Sequence, residues 1–335
     1  MTDILKYHRI GYLDAVRVLA MVMVVAMHAP LPQSNANSIL YAATSYLTAP
    51  CIGLFFMVSG ALLLPKATNM RAFFMRRFGK VAWPTLFWSL FYLSDLYLRG
   101  YLHPYEALRH LLSIPFSPQG NGVLWFMYTL MGLYLITPIL SAWLLNASKR
   151  EVETILLVWG ITMLYPLLDN ILSISKSRES ITYYMSGYAG YYLLGYYLNQ
   201  YVEKIKSIWL VLLIVVPLSA AILVKWYHWG VDFYQIFWYH SIFVGMMSAF
   251  WFLILKAIKH HPMGQVVERT SNYAFGVYLM HIFWMRRVVW HWDWVTQQNS
   301  LMQILLTVFL TLVLSIVTTH LISYLPFSKY IIGYK

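Results

Sequence analysis

Apolar runs of roughly twenty residues recur from one end of this chain to the other, more than a single soluble core would require. They fall at 12–30, 46–65, 81–98, 122–145, 152–170, 181–200, 207–226, 234–256, 273–290 and 301–324. This pattern predicts an all-α polytopic membrane protein of about ten transmembrane helices. Loops are mostly too short to fold alone and no internal repeat is evident, so residues 1–335 read as a single integral-membrane domain. The short N-terminal segment lacks a small-residue cleavage site after its apolar stretch, and we read the first span as a retained helix.

Charge then orients the spans. The net charge of +12 could suggest a nucleic-acid partner, but the cations are distributed by loop rather than by patch. With the N-terminus in the cytoplasm, sixteen Lys and Arg fall on the cytoplasmic side and seven on the outer side. This positive-inside bias places both termini in the cytoplasm. Fourteen Trp and 27 Tyr, many near predicted span ends, fit an aromatic belt in contact with membrane lipids better than a base-stacking surface. The longest outer loop starts with an amphipathic stretch around 104–112 that suits a lid along the interface.

Polar residues inside the spans mark where chemistry could occur. The stretch "DAVRVLAMVMVVAMHAP" carries Asp14, Arg17 and His28. Asp14 and Arg17 are three apart and can pair on a helix, which lowers the cost of both charges near the hydrocarbon edge. Arg17 and His28 are eleven apart, so at about 100° and 1.5 Å per residue they share a face about 16 Å along the axis. The three could line a polar passage, or they could simply anchor the helix at its two interfaces. Arg76, Arg77 and Lys80 follow the second span, and Arg77 and Lys80 are spaced to face one polyanion. Positive-inside bias alone also accounts for several of these cations. Trp125 and Tyr128 open the fourth span, and Tyr278 and His281 lie in the ninth, where such side chains commonly close hydrogen bonds between helices.

Several classes are excluded. A single cysteine, Cys51, rules out a disulfide framework and a cysteine-rich metal cluster. No HExxH, no His pair four apart within a span and no carboxylate cluster is present, so no metal site is expected. The adjacent His260 and His261 read as solvated residues of a cytoplasmic loop.

Taken in order, these segments resemble the membrane acyltransferase 3 family of bacterial O-acyltransferases. Arg17 and His28 match its first-span Arg and His, with Asp14 in the position that often accompanies them. "FFMVSGALL" resembles its Ser-Gly segment, with Ser59 and Gly60; "RRFGKVAWP" its basic stretch; "LWFMYTLMGLYLITP" its Trp-Phe span; "GYYLLGYYL" its glycine-bearing span; and "FGVYLMHIF" its late Tyr and His helix. Two positions depart. Lys80 stands where Arg is usual, keeping charge without the bidentate fork, and Ala61 stands where an aromatic is frequent. The soluble esterase domain fused to some relatives is not expected here.

The resemblance implies an acyl-CoA donor, most often acetyl-CoA, and a carbohydrate acceptor hydroxyl outside the cytoplasm, with the protein in the bacterial cytoplasmic (inner) membrane. Arg76, Arg77, Lys80 and Ser59 would meet the donor, while Trp125, Tyr128, Tyr278 and His281 would meet the acceptor. His28 would act as general base or as a transient acyl carrier, and Arg17, held by Asp14, would orient the donor or stabilise the oxyanion. The competing class is a proton-coupled transporter using the same three ionisable residues as a relay. No paired Gly or Pro interruptions in two halves support it. Acyl identity, acceptor identity and oligomeric state stay open.

Overall fold

The computed structural model describes residues 9–33, 38–65, 69–118, 122–174, 183–227, 231–258 and 264–334, and among them every regular element is helical. Among the described residues six segments are long and apolar enough to cross a membrane: Gly11–His28, Ile39–Leu63, Gly122–Leu144, Lys149–Leu172, Ser207–Trp226 and Ser300–Ser323. The other four expected spans correspond to helices Gly79–Leu98, Ala189–Tyr201, Ile242–Ala257 and Gln265–Arg287, which are shorter or more polar. The physical reason is burial. Gln265–Arg287 turns Ser271, Tyr278 and His281 into the protein rather than toward lipid, so its sequence need not be uniformly apolar. By contrast, Ser207–Tyr227 exposes Ile208, Trp209, Val211, Ile222 and Trp226, a surface suited to acyl chains. His260 and His261 lie outside the described residues.

Two of the expected spans are helices broken beside a proline. Residues 39–63 form Ile39–Thr48 and Cys51–Leu63, with Pro50 at the junction, and 149–172 form Lys149–Thr162 and Tyr165–Leu172, with Pro166 at the start of the second. A proline supplies no N–H to the preceding turn, which makes each break economical.

The first helix, Gly11–His28, packs against Cys51–Leu63, Ile242–Ala257, Gln265–Arg287 and Ser300–Ser323, and so sits at the centre of the bundle. Ser300–Ser323 presents a buried row, Gln303, Thr307, Thr311, Ser315 and Thr319, one residue per turn. Small polar side chains at that spacing permit close helix approach in a lipid environment.

Closest of all is the pair Cys51–Leu63 and Ala189–Tyr201. A Cβ on Gly60 would lie 1.8 Å from the Tyr192 carbonyl oxygen, and one on Gly195 would lie 2.0 Å from that of Met57. Both obstacles are backbone, so a methyl group can be housed only by separating the helices. Gly60→Ala is therefore expected to destabilise by about 1–3 kcal/mol or more through overpacking. Gly132→Ala, where the added Cβ meets nothing within 4 Å, is the control. Thermal unfolding in detergent compares the two, and equal midpoints would contradict the close-packing argument.

Candidate active site

Asp14 is 5% exposed and is held by three donors. Arg9, just before the first helix, donates from Nε to Oδ2 at 2.6 Å; Ser271 donates from Oγ to Oδ1 at 2.7 Å; Arg17 donates from Nη1 to Oδ1 at 3.2 Å. Arg17 Nη1 also donates to Ser271 Oγ at 2.9 Å. Arg9 reaches on to the Glu268 carboxylate at 2.9 Å and the Asn272 side chain at 3.1 Å. Its hydrogen bond to Asp14 raises the Arg9 guanidinium above its ordinary value, so it stays charged. This network ties the Arg17 end of the first helix to Gln265–Arg287.

Arg17 then faces a cavity of about 230 Å³, the basic cavity, walled by Ser59, Arg77, Lys80, Phe126, Tyr134 and Tyr278 among others. Local structure explains which cations reach it. Phe74–Phe78 is a turn of π-helix leading directly into Gly79–Leu98, and Arg77 and Lys80, three apart, both reach the cavity wall while Arg76 stays outside it. Ser59 lines the same wall, with its Oγ donating to the Phe55 carbonyl at 3.0 Å. Three cations around an otherwise apolar hollow form an anion-accepting mouth.

The other end of the first helix opens on a larger cavity of about 640 Å³, the histidine cavity. His28, the last helical residue, lines it together with Trp125, Tyr239, Tyr278, His281 and Arg286. The two imidazole rings are 5.5 Å apart between centroids. His281 Nδ1 lies 2.7 Å from the Tyr278 carbonyl oxygen, which can only accept, so Nδ1 carries the hydrogen. In the neutral ring Nε2 is then a lone-pair site, and it is buried with no hydrogen-bond partner among the described residues. Arg287 is neutralised by Asp95, with Nε–Oδ2 at 3.0 Å, and Asp95 also binds Arg99 at 2.8 Å. Arg286 instead stands over the Trp290 ring at 6.0 Å and remains exposed on the cavity wall. Among the described residues no group of three or more His, Cys, Asp or Glu is placed to hold a metal ion.

Tyr278 lines both cavities. Its hydroxyl donates to the Val123 carbonyl, and its ring packs against Phe126 at 5.1 Å and Phe55 at 6.5 Å. The stripe from Arg17 to His28 is therefore not one open passage. It is two chambers that share the Tyr278 ring as a wall, with Val24 lining the histidine cavity on the first helix.

A family profile described as an acyltransferase domain matches residues 10–320, which spans both chambers and nearly the whole chain. The chain belongs to the membrane acyltransferase 3 family. No curated protein and no solved structure matches it.

Within this acyltransferase the structure gathers Arg17, Ser59, Arg77 and Lys80 at one chamber and His28, Trp125 and His281 at the other, with Tyr278 between. Three expected placements change. Arg76 is exposed away from the basic cavity. Tyr128 lines neither chamber; its hydroxyl donates to the Ile114 carbonyl at 2.7 Å, pinning the loop before the fourth span. Asp14 lies behind Arg17 and touches no cavity wall. The sequence reading missed Arg9, Ser271, Tyr239 and Arg286. For Arg286 a signal existed: a cation at the span end that the sequence assigns to the outer side runs against the positive-inside bias.

Proposed function

We propose that this acyltransferase takes a short acyl group, most simply acetyl, from acyl-CoA at the basic cavity and delivers it to a carbohydrate hydroxyl in the histidine cavity. The carrying observation is Tyr278, one side chain thick, forming a wall of both chambers. In this reading the chain has about ten spans with both termini cytoplasmic, lies in the bacterial inner membrane as a single domain, and turns its histidine cavity outward. The acceptor is a surface or lipid-linked glycan.

The basic cavity, at about 230 Å³, is smaller than the usual range for a whole cofactor and suits a slender pantetheine arm. The CoA phosphates would remain at its mouth on Arg77 and Lys80, with Arg17 deeper on the arm. Because Arg17 lies in the basic cavity, it orients the donor. Arg286, on the wall beside the histidines, is the cation placed for a developing oxyanion. For transfer the Tyr278 ring swings aside and the thioester enters the histidine cavity; there the acceptor oxygen attacks its carbonyl while a neutral imidazole takes the proton, the C–S bond breaks and CoA leaves as the thiol after protonation. An acyl-imidazole on His28 is the two-step form of the same transfer.

The test uses purified protein in detergent, labelled acetyl-CoA and a glycan extract of the host membrane. Free CoA thiol should appear along with labelled glycan. Arg77→Ala with Lys80→Ala should raise KM for acetyl-CoA at least tenfold with a smaller effect on kcat, as expected when charge-assisted contacts to a ground-state ligand are lost. A carrier that exports an acyl compound unchanged would release no CoA.

A further inference from the structure

A third cavity, of about 490 Å³, lies beside the histidine cavity, and Trp238 is a wall of both. Its other walls include Tyr165, Asp169, Asp232, Tyr234, Gln235 and His240. None of these has a part in the chemistry above. The boundary between the two cavities is a run of touching rings: Trp238 on Tyr239 at 4.5 Å, Tyr239 on Trp125 at 5.6 Å, Trp125 on Tyr188 at 5.3 Å, and Tyr188 on His240 at 4.4 Å.

We propose that this cavity is a second sugar subsite. On the carbohydrate reading above, the acceptor is an oligosaccharide or polymer whose reacting unit sits at the histidines while a neighbouring unit occupies this cavity against Trp238. The wall chemistry selects the ligand. Among the described residues the wall carries two carboxylates and no Lys or Arg, which disfavours phosphates and fatty acids. Those carboxylates accept hydrogen bonds from hydroxyl donors, whereas a hydrocarbon chain would bury them unpaired. The indole, 52% exposed, offers a flat face to the C–H side of a pyranose ring.

The site is also built in advance. Asn170 donates to Gln235 Oε1 at 2.8 Å and accepts from the Asp232 backbone N–H at 2.9 Å, clamping Tyr165–Leu172 to the segment that begins at Asp232. With its carbonyl oxygen so used, Gln235 keeps its amide donors for a ligand in the cavity it lines. Asp232 spends Oδ1 on the Tyr234 N–H at 2.9 Å, so a sugar hydroxyl meets Oδ2. Preorganised polar groups lose little on binding, and this is how a shallow site gains affinity.

The full-length protein in detergent, without any acyl-CoA, is titrated calorimetrically with a panel of neutral hexose, 6-deoxyhexose and N-acetylhexosamine monosaccharides and their di- to hexasaccharides. At least one oligosaccharide should bind roughly tenfold or more tightly than its own monosaccharide, the gain from a few added polar contacts. Asp169→Asn combined with Asp232→Asn should erase that gain while leaving the monosaccharide affinity in place; Asn at 232 retains the cap, and an unchanged unfolding midpoint confirms the fold. A panel with no length dependence, a panel with no binding, or a gain that survives the double substitution overturns the subsite. Because the titration contains no donor, a failed acetyl-CoA assay leaves its result intact, and a flat titration leaves acyl transfer standing.

Discussion

Replacing His28 with Ala should lower acyl transfer by about 10²–10⁴-fold, the usual loss when a positioned acid–base group is removed. The effect should fall on kcat, with KM for acetyl-CoA largely kept, because the basic cavity, the proposed donor site, lies at the opposite end of the first helix. His28 is the last residue of that helix and faces a cavity of about 640 Å³, so truncation enlarges an existing space rather than opening a void in packed core. The folded protein should therefore keep its unfolding midpoint. Rapid quench with limiting acceptor separates the two roles of His28: an acyl-imidazole appears on His28 if the group is carried, and nothing is trapped if His28 only takes a proton. Turnover by His28→Ala at the unmodified rate would remove this residue from the chemistry.

Asp14→Ala should be the most damaging change outside the cavities. Asp14 accepts from Arg9, Arg17 and Ser271 in a site that is almost closed to solvent. Removing one partner of a buried ion pair commonly costs about 3–5 kcal/mol, because the other charge is left behind. Here Arg9 keeps Glu268 at 2.9 Å, which reduces the penalty, so about 3 kcal/mol is the expected size. Asp14→Asn retains an acceptor for Ser271 and should cost less. Chemical denaturation in detergent measures both, and an Ala variant as stable as the parent would show that the network does not hold these two helices together. Because Arg17 is oriented by the same carboxylate, KM for the donor should rise in the Ala variant as well.

What could be read from the sequence was mostly periodic or local. The eleven-residue interval from Arg17 to His28 put both on one face of one helix, and the structure places each at a cavity. Tyr278 and His281, three apart, likewise share a face. What could not be read depended on contacts between distant segments. Arg9 and Ser271 are the shorter partners of Asp14, yet one precedes the helix and the other is 257 residues away. Arg76 and Arg77 are adjacent and point about 100° apart on the helix, and only the packing of that helix against its neighbours decides which one reaches the cavity. Tyr128 shared a segment with Trp125 and was expected beside it, but its hydroxyl found the Ile114 carbonyl. The spans that satisfied hydropathy least were those carrying polar groups into the interior, such as Gln265–Arg287. A hydropathy count registers lipid contact, and these helices have less of it.

The partition at Tyr278 has a consequence for the cell that houses the protein. A water-filled hole joining the two chambers would short-circuit the proton-motive force each time it opened. The Tyr278 ring, its hydroxyl bound to the Val123 carbonyl, stands where such a hole would have to run. In the proposed transfer, a ring displaced only by the arriving thioester would pass the acyl group and hold back protons and sodium ions, so the membrane would keep its voltage.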